Sequence, residues 1–208
     1  MVDQILFYIS AAQDLMAERE ILARLTTEIP VTLGWKIAQT PVKGEPFDRQ
    51  SVLNADFHMI LLGSDIRAPI GVEWMIARSA QKKPVLFTKS GILRTDAAKD
   101  FQRTLEDYVP WNSYKELKEL RIKTLKLLGD HILEEAIYYA LRPEEYDGLL
   151  KWRKDLDGEK VEEVEEIHGG VHEGGIIFSR ERYIPSEGVL LEPGGRSKTS
   201  SQESEKPT

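Results

Sequence analysis

Short, uninterrupted apolar runs alternate with segments of helical period along the first ninety residues, and this alternation constrains the fold more than any other feature. "QILFYIS" near the N-terminus, "GWKIAQ" from Gly34, "FHMILLG" from Phe57 and "PVLFT" from Pro84 read as strands. A run lacking polar alternates is what a strand carries when both faces of its sheet are covered. Between the runs, Leu15, Leu22, Leu25 and Ile29 recur at helical spacing and Pro30 stops that helix. A short helix is expected up to Ala55, and a longer one from about Ile70 to Gln81. Repeated strand–helix alternation predicts an α/β fold: a central parallel sheet with helices on both faces, a three-layer sandwich.

Beyond Phe87 the strand signal fades. "RTDAAKDFQRTLEDY" reads as a helix, "VPW" as a short edge strand, residues 113–142 as one long amphipathic helix ended by Pro143, and "PEEYDGLLKWRKDL" as a further helix. Capping boxes are expected where Ser10 precedes Gln13 and where Ser113 precedes Glu116, with Asp14 as a second candidate cap. These elements divide the chain into an α/β domain over 1–112 and a helical extension packed on it over 113–156. A Gly-rich, β-prone segment follows over 157–192, and the tail over 193–208 has nothing to bury.

Composition removes several function classes. The net charge of −7 and pI near 5.3 argue against a nonspecific nucleic-acid binder, which needs a basic face to displace counterions. The chain has no cysteines, so thiol catalysis, disulfides and cysteine-ligated zinc are excluded. No apolar run reaches bilayer length, so no membrane partner is expected and a soluble cytoplasmic protein is. His168 and His172 have i,i+4 spacing, but glycines at 169, 170, 174 and 175 argue against the helix a metal pair would need, so no metal site is expected. The acidic run from Glu159 to Glu166 reads as a solvated linker. The segment over 157–192 is a candidate element for a protein partner, and self-association is left open.

Ligands of parallel sheets bind outside the carboxyl ends of the strands. Two loops there carry polar side chains, "SAAQD" after the first strand and "SDIRAPIGVE" after the third. Glu73 is placed near the first turn of its helix, where backbone N–H groups favour an anion. Pro69 suits the helix start, and Gly71 leaves room for a ligand beside the backbone. An ordinary solvated helix acid is the competing interpretation of Glu73. Glu18, Arg19 and Glu20 read as a solvated face, with Arg19 alternatively tying the first helix to the loop that holds Glu73. His58, inside an apolar strand, reads as a hydrogen-bonded core histidine.

Two segments carry a resemblance. "ISAAQDLMAERE" (Ile9 to Glu20) resembles the opening of a bacterial domain-of-unknown-function family with the signature I-S-S, D-L, E-R-E, found at the front of signalling and defence proteins. Ala11 replaces the second serine, and Asp14, Leu15, Glu18, Arg19 and Glu20 match. "GVEWMIARSAQKKPVLF" is similar to the segment of nucleoside 2-deoxyribosyltransferases and TIR-like domains in which a helix bearing the essential glutamate runs into a strand. The resemblance covers roughly the first ninety residues and implies a flavodoxin-like fold and chemistry at an N-glycosidic bond. Carried over, it implies Glu73 as the catalytic carboxylate, with Ser10 and Asp14 bordering the pocket, Arg67 on a phosphate, and Trp74 or Tyr8 stacking on a base. The transferases' Asp-x-Gly-Thr stretch is not kept; Asp65 and Gly71 stand at a different spacing and are the matching substrate-site candidates. The ligand implied is a nucleoside, a nucleotide or NAD, as substrate rather than resident cofactor. A sensor or adaptor of the same fold, without turnover, is the alternative.

Overall fold

The computed structural model describes residues 4–42 and 45–158. In chain order the elements are β1 (Gln4–Ala11), α1 (Met16–Leu25), β2 (Gly34–Gln39), α2 (Arg49–Asn54), β3 (Phe57–Leu62), α3 (Ala68–Ser79), β4 (Val85–Lys89), α4 (Asp96–Glu106), β5 (Trp111–Tyr114), α5 (Leu117–Glu134) and α6 (Pro143–Gly158). The five strands form one sheet in the order β2-β1-β3-β4-β5, and every pairing is parallel. This is the expected α/β sandwich with flavodoxin-like strand order. The expectations for the segment from 159 onward, His168 and His172 included, lie outside the described residues. Among the described residues no helix is long and apolar enough to cross a membrane.

Strand periodicity sorts the core into two layers, because successive side chains of a strand point to opposite faces. Ile5, Phe7 and Ile9 of β1, Phe57, Met59 and Leu61 of β3, and Phe87 of β4 cluster with Leu22 and Leu25 of α1. Leu120, Leu125, Leu128 and Ile132 of α5 belong to the same cluster, so α5 is one of the helices covering this face. On the other face Ile60 and Leu86 meet Ile70 and Trp74 of α3, while Tyr8 meets Val52 of α2 and Ile76 and Ala77 of α3. β3 is buried at all six positions, as its apolar run requires.

Local chemistry sets the helix starts, in places differently from expectation. Asp48 caps α2 by accepting from Ser51 N at 3.0 Å, and Thr95 caps α4 by accepting from Ala98 N at 3.2 Å. Ser10 caps nothing. It lies inside β1, and the chain makes a short 3-10 turn over Gln13–Leu15 before α1 begins. Ser113 likewise lies in β5, and Glu116, the residue before α5, makes no side-chain cap bond. In both places a strand claims the serine, and pairing with its neighbour outweighs the local capping option. The long helix expected over 113–142 ends at Glu134; residues 135–140 form turns and Ala140 adopts φ 50°. The turn sends α6 back over α5, where Gly129 permits the approach: a Cβ there would sit 3.1 Å from Trp152 Cζ3. Arg153 then grips Asp130 with two parallel bonds of 2.7 and 3.0 Å, the bidentate geometry guanidinium favours.

Candidate functional site

The chain turns to opposite sides of β1 on leaving β1 for β2 and β2 for β3, so the carboxyl ends of β1 and β3 flank the switch point of the sheet. Open α/β sheets bind ligands at that crevice. A cleft of about 350 Å³ lies there, and its lining includes Ala12, Gln13, Arg19, Thr40, Phe47 and Arg67. Its size is at the lower end of small-molecule sites, about 300–1,000 Å³.

Glu73 lies behind Thr40 of this lining. It is the sixth residue of α3, two residues further in than the expected helix start at Ile70 implied, and its side chain is 0% exposed. The free N–H groups of the helix end therefore do not account for its charge; hydroxyl groups do. Tyr8 Oη donates to Glu73 Oε1 at 2.8 Å, and Thr40 Oγ1 donates to Oε2 at 2.8 Å. Burial raises the carboxyl pKa, opposed by the Ser10, Thr40 and Tyr8 hydroxyls and, at longer range, by Arg19. A buried carboxylate is tolerated only with such donors around it.

These side chains meet because of the strand period. Tyr8 and Ser10 are alternate residues of β1, and Tyr8 lies in register with His58 of β3, so all three occupy the face that α3 covers. Ser10 Oγ lies 2.8 Å from His58 Nε2. His58 is the core histidine expected; burial pushes its pKa down to about 3, and Nδ1 has no partner. The imidazole is thus neutral, and its one bond is to Ser10.

Arg19 and Glu18 overturn the expectation of a solvated face, being 5% and 2% exposed. Arg19 Nε donates to Gln39 Oε1 at 2.8 Å and Nη2 donates to the Thr40 carbonyl at 2.6 Å. It ties α1 to the end of β2, not to the loop before Glu73. Glu18 accepts from Lys89 Nζ at 2.7 Å and from Tyr114 Oη at 3.5 Å, joining α1 to β4 and β5. Only Glu20 of the three is exposed, paired with Arg24. An acid and a base with their partners 71 and 20 residues away in sequence look solvated until the strand order is known.

The remaining candidates are divided. Arg67 lines the cleft. Gly71 is half-buried, and a Cβ there would meet nothing within 4 Å. Trp74 is in the core with Ile60, Leu86 and Leu105, 6.2 Å from the ring of Tyr108, and Tyr8 is wholly buried; neither ring presents a face for stacking on a base. Asp65 accepts from Thr95 Oγ1 at 2.6 Å, fastening the loop after β3 to the start of α4. Asp14 does not cap a helix; its Oδ2 accepts from Ser64 N at 2.8 Å and Ser64 Oγ at 2.6 Å, clamping the loops after β1 and β3 together. That clamp needs a glycine at 63, where a Cβ would collide with Asp14 Oδ2 and stand 3.0 Å from Leu15 Cγ. Gly63→Ala is expected to lower stability by ~1–3 kcal/mol, the usual cost of overpacking, as a shifted midpoint in urea denaturation.

Sequence reasoning missed Thr40 and Phe47, both in the lining of the cleft. The loop after β2 enters the site only because β2 lies beside β1, and a strand order is not written in local pattern. The visible signal was the polar set Tyr8, Ser10 and His58 inside otherwise apolar runs.

The raised Glu73 pKa has a signed consequence. The contribution of a protonated Glu73 to stability is complete below its ordinary value of 4.5 and is lost as pH rises through the higher native value. Glu73→Gln, which mimics the protonated form, should therefore be at least as stable as the native chain at neutral pH. The gap should close as pH falls to 4.5, read from urea midpoints across a pH series.

Among the described residues no three His, Asp or Glu side chains converge to hold a metal ion. Compared with protein-family models, with curated proteins and with solved structures, the chain matches none.

Proposed function

We propose that the cleft binds a nucleoside or nucleotide, NAD being one form it can take, and that Glu73 promotes cleavage of its N-glycosidic bond. One observation carries the reading: a carboxylate held by two hydroxyl donors lies behind Thr40 in the lining of a nucleoside-sized cleft at the switch point of a parallel sheet. When the bond from the anomeric carbon to the base nitrogen breaks, the electron pair leaves with the base and positive charge grows on the sugar. A fixed carboxylate beneath that carbon stabilises the charge, or adds to it as nucleophile before water completes the hydrolysis. Arg67 on the cleft wall suits a phosphate of the ligand. The family resemblance of the opening segment and of "GVEWMIARSAQKKPVLF" points the same way.

The complete burial of Glu73 favours a second reading, a sensor that binds the same ligand without turning it over. Incubation with nucleosides, nucleotides and NAD, followed by chromatography for free base, separates the two. Released base supports catalysis. Absence of release together with ligand-dependent thermal stabilisation, about 2.7 kcal/mol at a hundredfold excess over Kd, supports the sensor. Neither release nor stabilisation would sink both.

A further inference from the structure

We infer that Thr40 is a gate between the cleft and the Glu73 carboxylate, and so a positioning residue of the site. The inference rests on the cleft being the ligand site and concerns how a ligand gains access to the carboxylate.

Thr40 has an unusual set of attachments. Its Oγ1 accepts from Ala11 N at 3.1 Å and donates to Glu73 Oε2 at 2.8 Å. Its carbonyl accepts from Arg19 Nη2 at 2.6 Å, and its own N–H donates to Ile9 O at 3.0 Å. The backbone is thus fixed from two sides, by β1 and by α1, and rotation about the Cα–Cβ bond is the remaining freedom. Thr40 lines the cleft, whereas Glu73 does not line it and is 0% exposed. With the hydroxyl in place, Oε2 is masked and its lone pair is engaged. Turning the side chain away breaks both bonds of the hydroxyl: Ala11 N loses its acceptor, and Oε2 loses one donor and faces the cleft.

A ligand hydroxyl would complete the exchange. A donor entering the cleft can take over the bond to Oε2 that Thr40 gives up, so the carboxylate is never left buried without a partner. The ligands favoured are those offering a hydroxyl beside the reacting carbon, as a sugar ring does. Apolar molecules of the same size cannot supply that donor and leave the gate shut.

Carboxyl labelling tests this without relying on turnover. The protein is treated with a water-soluble carbodiimide and an amine, and modification of each glutamate is followed by mass spectrometry. In the native chain Glu73 should react slowly, as should Glu18, the other deeply buried glutamate among the described residues. Thr40→Ala should speed modification of Glu73 by ~10-fold, the equivalent of one lost hydrogen bond to a charged group, while Glu18 stays slow. Thr40→Ser, which keeps the hydroxyl, should restore protection. Thr40→Val keeps the bulk and removes the donor; it should raise the Glu73 titration midpoint, followed by carboxyl carbon NMR. The gate is refuted by equal labelling of Glu73 in the native and Ala forms, by a parallel rise at Glu18, by failure of Ser to restore protection, or by an unmoved midpoint in Val. None of these readouts depends on base release, so loss of the catalytic reading and loss of the gate give different results.

Discussion

Replacing Glu73 with glutamine is expected to lower base release by ~100-fold or more, the usual loss when an electrostatic partner of the transition state is removed. The fold should survive. Gln preserves the shape of the side chain, and Tyr8 and Thr40 hydroxyls can accept as readily as they donate, so the amide keeps partners on both sides. What is lost is the negative charge, which serves the reaction when positive charge develops above it. The decisive comparison is kcat against thermal stability in the same preparation. A Gln form that releases base at the native rate would remove Glu73 from the chemistry. A form that unfolds at room temperature would show the carboxylate to be structural first.

Truncating Leu125 to alanine should destabilise the domain by ~2–5 kcal/mol, the range for emptying a fully buried leucine site. Leu125 is 0% exposed and sits on α5, within the same cluster as Phe7, Met59 and Leu22. Folded domains hold only ~5–15 kcal/mol in reserve, so a change of this size should move a urea midpoint visibly. If α5 were an appendage leaning on a complete domain, the loss would be confined to local fraying, and the main unfolding transition would stay where it was. A single cooperative transition shifted as a whole is the expected result. It would fix the minimal folding unit as one that includes the helix after β5.

The elements of this fold were largely legible because each strand announces itself by composition. Phe57–Leu62 is buried on both faces and its sequence, FHMILL, contains a single polar residue. Helix boundaries were less legible. Ser10 and Ser113 offered capping geometry, yet both were claimed by strands whose partners lie far away in sequence. The end of α5 at Glu134 was hidden because "EEAIYYAL" continues a helical period; what diverts the chain is the tertiary demand that α6 return over Gly129. At the site, Glu73 stood out through its place after β3 taken together with the family resemblance of its segment, and Arg67 through its loop. Thr40, the gatekeeping residue proposed above, could not be found, since its significance depends on β2 lying beside β1. Asp14 and Asp65, expected at the substrate site, are used by the structure to lock loops: Asp14 through Ser64, Asp65 through Thr95.

The line of polar side chains on the α3 face of β1 also bears on how the sheet assembles. Aliphatic contacts are forgiving: sliding β1 by two residues against β3 would exchange one large apolar group for another on the α1 face at modest cost. On the opposite face the same slide would set Leu6 or Ser10 where the Tyr8 hydroxyl now meets Glu73, and would part Ser10 from His58. A slide by one residue would turn the donors away altogether. Either error strands an acid in the interior, at a cost of several kcal/mol if it stays ionised. The cluster around Glu73 therefore also acts as a key for strand alignment, and a chain that lost Glu73 for a leucine would forfeit its own proofreading of the sheet.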